Sequence, residues 1–548
     1  YMMKYQTIAD KNIIVCFILI IFLGFIVYSN SINSGFIWDD HLLVKDNLYI
    51  RNLPNIGKFF SGAISTDTNV KYFFYRPLQM ISYAIEYSLW KLDARGYHLV
   101  NIFLHILVAL AIFWFINLLY ADIFLACLTA ILFVVHPMHI ESVSYISGLS
   151  DTLGALFIFI CLSLYIRSKS YVIVGLTYIA ALLSRETGLI LPALILVYHF
   201  AFRKKINFKC FLFILEITFA YILLRIIFFR PEIVCLTSIS QRFLGFFAAL
   251  TTYLRLLVFP LDLHMAYGLK TFSLIHANVI TGFLIFVFLL FYALRKKKDN
   301  ELIFFSIFWF LIALLPVSNI YPINAYMSEH WLYIPSIGFF LILAKGLIYL
   351  YKKKFCYPVA IISIIALLTF YSLLTIRQNE YWKNPVFFYK RTLKYAPHDL
   401  RLYINLGNAY ADTGRFQKAA YWYKKALIHA PNNWKLYLNL GAAYADMGRL
   451  QEAVRWYKKA LKINPDSISI YNNLGVLYVR FGKCKEAISS YRKALEINPD
   501  YARAYFGLAE AYFYDKQYNL AIKYCDEAVK FQYNVPKEFL DMLSSYKE

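Results

Sequence analysis

From residue 13 to residue 376 the chain is a succession of apolar stretches separated by short polar clusters, and beyond 376 these give way to a pattern that repeats every 34 residues. A helix needs about 20 apolar residues to cross a bilayer. On that measure the segments 13–30, 98–118, 122–137, 151–166, 171–184, 188–202, 209–229, 277–294, 301–318, 332–350 and 356–376 read as membrane helices. Several are short enough to require tilt, or helix ends inside the protein. The predicted fold class is all-α: a polytopic bundle of about 11–12 membrane helices followed by a C-terminal α-solenoid.

The solenoid is read from Tyr-x2-Leu-Gly-x2-Tyr-x8-Ala-x3-aromatic-x2-Ala-x4-Pro, which occurs at Tyr403–Pro431, Tyr437–Pro465 and Tyr471–Pro499. This resembles the tetratricopeptide repeat, in which large residues fill the space between paired helices and glycine and alanine permit close approach. A fourth unit (Tyr505, Leu508, Ala509, Tyr512, Ala521, Ala528) has lost the glycine, the aromatic and the proline, and reads as a cap followed by a final helix at about 535–546. Residues 380–397 match only the second helix of a repeat. The expected division is therefore a membrane domain over 1–379, with its first external loop at 31–97, and a repeat domain over 380–548, with repeats at about 400–431, 434–465, 468–499 and 502–533.

Composition sharpens this. With 60% hydrophobic and 19% aromatic residues and a mean hydropathy of +0.52, the chain is no soluble globular protein. The net charge of +23 does not point to nucleic acid, because much of it lies in short clusters between apolar runs: Arg203-Lys204-Lys205, Arg295-Lys296-Lys297-Lys298 and Lys352-Lys353-Lys354. Such clusters mark cytoplasmic loops. The apolar run after Lys4 and Lys11 is read as a first membrane helix, not a cleaved signal, with the N-terminus inside. The loops 31–97, 137–150, 184–187, 230–276 and 319–331, and everything after 376, then lie outside. A further crossing at 241–259 would put Arg295–Lys298 on the wrong face. That stretch is therefore expected to be re-entrant, hairpin-like or laid along the outer surface, unless one of the short segments between 122 and 202 fails to cross. The eight cysteines form no CxxC or metal-ligand spacing and read as small buried hydrophobes.

That topology collects most of the chemistry on one face: Asp39, Asp40, Arg76, His136, His139, Glu141, Asp151, Arg185, Glu186, His264, Glu329 and His330. Adjacent carboxylates such as Asp39-Asp40 raise one another's pKa, which suits a base or a metal site. His136-Pro137-Met138-His139-x-Glu141 has a metal-like spacing, but Pro137 interrupts the local geometry, and hydrogen bonding at a helix mouth is the default reading. In the repeats, Asn405, Asn439 and Asn473 stand one repeat apart and would form a ladder. An amide both donates and accepts, so such a ladder can hold a peptide backbone. A tetratricopeptide-containing intracellular O-glycosyltransferase, similar to this region, uses a ladder in that way.

The motifs Trp38-Asp39-Asp40-His41, Tyr75-Arg76-Pro77-Leu78, His136-Pro137-Met138-His139, Ser184-Arg185-Glu186-Thr187-Gly188 and Ser328-Glu329-His330-Trp331, in that order ahead of the repeats, resemble the transmembrane-and-tetratricopeptide O-mannosyltransferases. These belong to the multi-spanning (GT-C) glycosyltransferases that use polyprenyl-phosphate sugars. The resemblance implies an inverting transfer of a sugar, mannose in the family, from a polyprenyl- or dolichyl-phosphate donor to Ser/Thr hydroxyls of exported proteins. It implies that Asp39 orients or deprotonates the acceptor with Asp40 in support, and that Arg76, Arg185, His264 and His330 meet the donor phosphate. His136, His139, Glu141, Asp151, Glu186 and Glu329 would support them, and Asn405, Asn439 and Asn473 would bind acceptor peptide. No resident metal is expected. Partners are the lipid-linked sugar, an acceptor protein and membrane lipids, in a bacterial cytoplasmic membrane with the repeats outside or in an endoplasmic reticulum with the repeats lumenal. Relatives carry Gly-Arg-x-Asp or Gly-Arg-x-Glu where this chain has Gly148-Leu149-Ser150-Asp151, so the donor phosphate requires a cation from elsewhere, or the donor differs. The alternatives are a transferase acting on a lipid or glycan, and a membrane-anchored assembly scaffold.

Overall fold

The computed structural model describes residues 2–61, 75–228, 238–268, 270–320, 322, 323, 325–353 and 355–546, with side chains from residue 11 onward. Cys235 and parts of the two long outer loops lie outside the described residues. The chain divides into two compact units, Tyr1–Ala396 and Pro397–Glu548.

The first unit contains fifteen α-helices among its described residues: α1 (Met2–Tyr28), α2 (Pro77–Trp90), α3 (Ala94–Tyr120), α4 (Ile123–Val135), α5 (Ile140–Val143), α6 (Leu149–Ile166), α7 (Tyr171–Ser184), α8 (Leu191–Phe202), α9 (Phe208–Phe228), α10 (Ile239–Val258), α11 (Ala277–Lys296), α12 (Glu301–Ala313), α13 (Ser336–Lys352), α14 (Tyr357–Trp382) and α15 (Pro385–Tyr395). Every apolar segment read from the sequence coincides with a helix. Among the described residues six helical stretches are long and apolar enough to span a bilayer: Lys11–Ser31, Ala94–Tyr120, Ile146–Ile166, Phe208–Phe228, Ala277–Lys296 and Tyr357–Trp382. The protein is a multi-pass membrane protein. The 13-residue α4 and α12 rise only about 20 Å each, short of a hydrocarbon core of about 30 Å. Helix α4 ends at a break: Pro137 cannot continue it, His136 before it turns extended, and the chain resumes at 57° as Pro137–Val143.

Two expectations are narrowed or changed. The 241–259 stretch is one uninterrupted helix, α10, which removes the hairpin from the three arrangements expected for it. It packs so tightly on α11 that a Cβ at Gly282 would meet the Phe247 carbonyl oxygen at 1.9 Å. The second change concerns 380–397. Although α15 reads like half a repeat, it belongs to the first unit, where the Tyr389 hydroxyl accepts from the Trp38 amide at 2.9 Å and Phe388 packs on Trp382, itself against Tyr145.

The second unit is a series of helix pairs: α16 (Leu400–Asp412) with α17 (Phe416–His429), α18 (Trp434–Asp446) with α19 (Leu450–Ile463), α20 (Ile468–Arg480) with α21 (Cys484–Ile497), and α22 (Ala502–Tyr514) with α23 (Tyr518–Lys530). The repeat signature has a direct steric meaning. The Tyr423, Tyr457 and Tyr491 rings lie where Cβ atoms at Gly407, Gly441 and Gly475 would sit, within 2.3 to 2.6 Å, so glycine is what lets each tyrosine seal its pair. Tyr491 also covers Gly507, which keeps the fourth pair in register without the Leu-Gly motif. The series ends on α24 (Lys537–Ser544), whose Phe539 packs on Phe506 and Phe513.

Candidate functional site

The paired carboxylates of the first loop divide their roles by burial. Asp40 is fully buried: Oδ1 accepts from the Ser147 amide at 2.8 Å and the Ser147 hydroxyl at 2.5 Å, and Oδ2 from the Ile37 amide at 3.0 Å. It clamps the loop onto the 3₁₀ turn Ile146–Gly148. Asp39 is exposed, and its amide donates to the Tyr145 hydroxyl at 2.9 Å. Trp38, at φ 52°, takes the left-handed conformation that lets consecutive residues serve opposite ends. Burial pushes the Asp40 carboxyl up to about 7, with the Asp39 charge adding and the Ser147 and Ile37 hydrogen bonds opposing.

A group whose pKa is higher folded than unfolded contributes stability below the unfolded value and loses it as pH rises through the folded one. The melting temperature of the wild type is therefore expected to fall between about pH 4 and 7, through a component worth at most about 4 kcal/mol. Asp40→Asn should flatten that component. A variant that melts with the wild-type pH dependence would refute the assignment.

The arginines meet beside the same turn. Arg76, at the cap of α2, holds Glu186 with two hydrogen bonds of 3.0 and 2.6 Å and reaches Ser150 at 3.2 Å. Arg185, between α7 and the turn Glu186–Ile190, reaches the same Ser150 hydroxyl at 3.1 Å and forms an ion pair with Asp151. Arg185 and Asp151 are 6% and 7% exposed, and among the described residues the Arg185 Nε–H has no hydrogen-bond partner. Leu149 is turned into the core formed by Val44, Ile50, Phe59, Tyr83 and Tyr97. Arg185 instead supplies the cation next to Ser150 and Asp151. The segment 146–151 thus joins both halves of the site, Ser147 to Asp40 and Ser150-Asp151 to the arginines.

A third group comes from α5 and the Ser328–Leu332 segment. Glu141, 2% exposed, accepts from the Ser328 hydroxyl at 3.1 Å, the His330 amide at 3.0 Å and His330 Nδ1 at 2.7 Å. Asp151 feels the charges of Arg185, His330, Arg76 and Glu141, which makes these a single electrostatic cluster.

His264 joins differently: its amide donates to Glu329 Oε1 at 2.5 Å, while its ring stacks on Tyr395 and packs on Tyr267, with centroids 4.4 and 4.1 Å away. Burial lowers the His264 pKa and raises that of Glu329 well above the carboxylate range, Glu141 adding to the latter. His264 thus braces the outer loop, and among the described residues no hydrogen bond joins it to Arg76 or Arg185.

His136 and His139 are fully buried, with both ring nitrogens of each engaged: His136 with the Leu257 carbonyl and the Met138 amide, His139 with the Phe133 carbonyl and the Ser336 hydroxyl. Among the described residues no group of three His, Cys, Asp or Glu is arranged to hold a metal ion. The sequence reading missed Tyr145, Ser147, Ser150, Ser328 and Tyr253, whose hydroxyl donates to the Ser328 carbonyl at 3.2 Å.

In the second unit Asn405, Asn439 and Asn473 are half-buried at equivalent positions of α16, α18 and α20. Asn473 lines a cavity of about 140 Å³ with Tyr457, Asp446 and Arg480.

Comparison with known proteins agrees with this two-part organisation. Family models described as tetratricopeptide repeat match residues 435–500 and 472–536, and one described as TPR repeat matches 407–448. Residues 407–536 are tetratricopeptide repeats. The solved structure of MamA is similar to part of this chain, with 28% identity and a TM-score of 0.25, covering 27% of this chain and 86% of that one. Among curated proteins, Caenorhabditis elegans protein O-mannosyl-transferase F38B6.6 is 26% identical over 427 residues, covering 72% of this chain and 60% of its own length. Human protein O-mannosyl-transferase TMTC3 is 23% identical over 451 residues, covering 72% and 49%. Xenopus laevis protein O-mannosyl-transferase tmtc2 is 26% identical over 510 residues, covering 72% and 60%. The similarity therefore extends well beyond the tetratricopeptide repeats, and the chain spans about half to three fifths of the length of these relatives.

Proposed function

We propose that the protein is an inverting O-mannosyltransferase that moves mannose from a polyprenyl-phosphate donor to Ser/Thr hydroxyls of exported proteins, working on the extracytoplasmic face of a bacterial cytoplasmic membrane or the lumenal face of an endoplasmic reticulum. The observation that carries this reading is the meeting of Arg76 and Arg185 on Ser150, in a segment whose Ser147 also anchors the Asp39-Asp40 loop. Phosphate release needs cations at the leaving oxygen, acceptor activation needs a carboxylate, and one short turn positions both.

In this reading Asp39 orients the acceptor hydroxyl and takes its proton, while Asp40 holds the loop. Arg76, Arg185 and His330 face the donor phosphate, with Glu186, Asp151 and Glu141 fixing their orientation. The tetratricopeptide repeats hold the acceptor polypeptide through Asn405, Asn439 and Asn473.

The test is to supply membranes with labelled polyprenyl-phosphate mannose and to locate the label. It is expected on protein, and the KM for acceptor protein is expected to rise roughly tenfold, at unchanged kcat, when the three asparagines are replaced by alanine, each lost hydrogen bond contributing about 0.5 kcal/mol. Label confined to lipid or glycan would overturn the protein acceptor. Absence of label from every fraction, with normal function in the cell, would favour a scaffold.

A further inference from the structure

The two arginines of the cluster are already matched. Arg76 is held by both oxygens of Glu186 and Arg185 by Asp151, and Glu141 adds a third carboxylate. With His330 neutral, these groups carry one more negative charge than positive, a poor setting for another anion.

His330 can change that balance. The buried Glu141 carboxylate accepts from Ser328, the His330 amide and His330 Nδ1, and an ionised carboxylate only accepts, so Nδ1 carries a proton. The remaining nitrogen, Nε2, makes no hydrogen bond to protein among the described residues, and the ring is partly open to solvent, 22% exposed. A second proton would enter there and would turn a bare acceptor into an N–H donor.

The groups around the ring are Glu141 on α5, Asp151 on α6, Ser328 and Glu329 on its own segment, and the Tyr253 hydroxyl of α10 behind Ser328. Arg185 and Glu329 act on Glu141 in turn.

The geometry points to His330 as a proton-switched cation: its imidazolium, held by Glu141 through Nδ1, completes the anion site for the donor's phosphodiester through Nε2–H. The inference rests on the glycosyltransfer reading above. During transfer the bond between the anomeric carbon and the phosphate oxygen breaks, and its electron pair stays on that oxygen, which takes the Nε2 proton. The acceptor oxygen bonds the anomeric carbon, and its own proton passes to the Asp39 carboxylate. Both protons are accounted for, and the lipid phosphate leaves as a monoanion.

The test uses the full-length protein in detergent or nanodiscs and a probe of constant charge: short-chain polyprenyl-phosphate mannose with the glycosidic oxygen replaced by methylene. Its Kd is measured from pH 5.5 to 8.5. The wild type is expected to bind progressively more weakly as pH rises across this range, whereas His330→Gln should bind weakly and without pH dependence. Dimethyl phosphate, a free anion of the same charge, should compete with the same pH dependence if phosphate chemistry governs the site.

A His330→Gln profile that retains the wild-type slope would overturn the inference while leaving the glycosyltransfer reading intact. Absence of probe binding to the wild type at every pH would overturn both. The His330→Gln variant should fold, because the backbone N–H at that position keeps its hydrogen bond to Glu141 and the introduced carboxamide can donate in place of Nδ1. Melting within a few degrees of the wild type checks this.

Discussion

Asp39→Asn is expected to lower mannosyl transfer by roughly 10²–10⁴-fold, the range associated with losing a positioned base, at unchanged protein abundance and melting temperature. The prediction follows from how the loop is built. Asp40 holds it through three hydrogen bonds, the Trp38 amide is held by Tyr389, and the Asp39 amide by Tyr145. These hydrogen bonds hold the backbone of the loop through other groups, and Asp39 itself is exposed. Asparagine keeps the shape and removes the charge and basicity. A variant that retains activity would place the proton elsewhere, and one that loses folding would show that Asp39 is structural.

The second large effect is expected at Arg185. Arg185→Met leaves the Asp151 carboxylate, with 8% of its side chain exposed, without its ion-pair partner, and breaking a buried pair from one side costs about 3–5 kcal/mol. Stability and transfer should fall together. The double variant Arg185→Met/Asp151→Leu removes both charges and is expected to recover most of the stability, because an apolar replacement of a buried pair is often neutral. Transfer should not recover, since the phosphate has lost its cation. Melting curves and initial rates on the three proteins separate the two roles. Activity restored along with stability would mean that Arg185 only balances Asp151.

Most of the architecture is legible in the sequence because its causes are local. Apolar length marks the membrane helices, Pro137 marks the break after α4, and the Gly and Tyr of each repeat meet across a single helix pair. The site is legible only as an inventory. That Asp40 rather than Asp39 is buried depends on Ser147, 107 residues away, and the Glu141–Ser328 contact spans 187 residues. Serine carries no periodic or spacing signal, so Ser147, Ser150 and Ser328 could not be singled out beforehand. His136 and His139 looked available because their spacing suits a ligand, but backbone carbonyls and neighbouring helices occupy their ring nitrogens. The α15 segment misled for the opposite reason: its local pattern is that of a repeat helix, and long-range contacts such as Tyr389 on Trp38 and Tyr395 on His264 assign it to the first unit.

The most direct measurement is transfer of labelled mannose from polyprenyl-phosphate mannose to protein, in membranes containing wild type or Asp39→Asn at equal abundance. The expected result is label on protein with the wild type and its near-complete loss with the variant. Equal labelling by the two would contradict a catalytic Asp39 loop, and a wild type that labels nothing would contradict the mannosyltransferase reading itself.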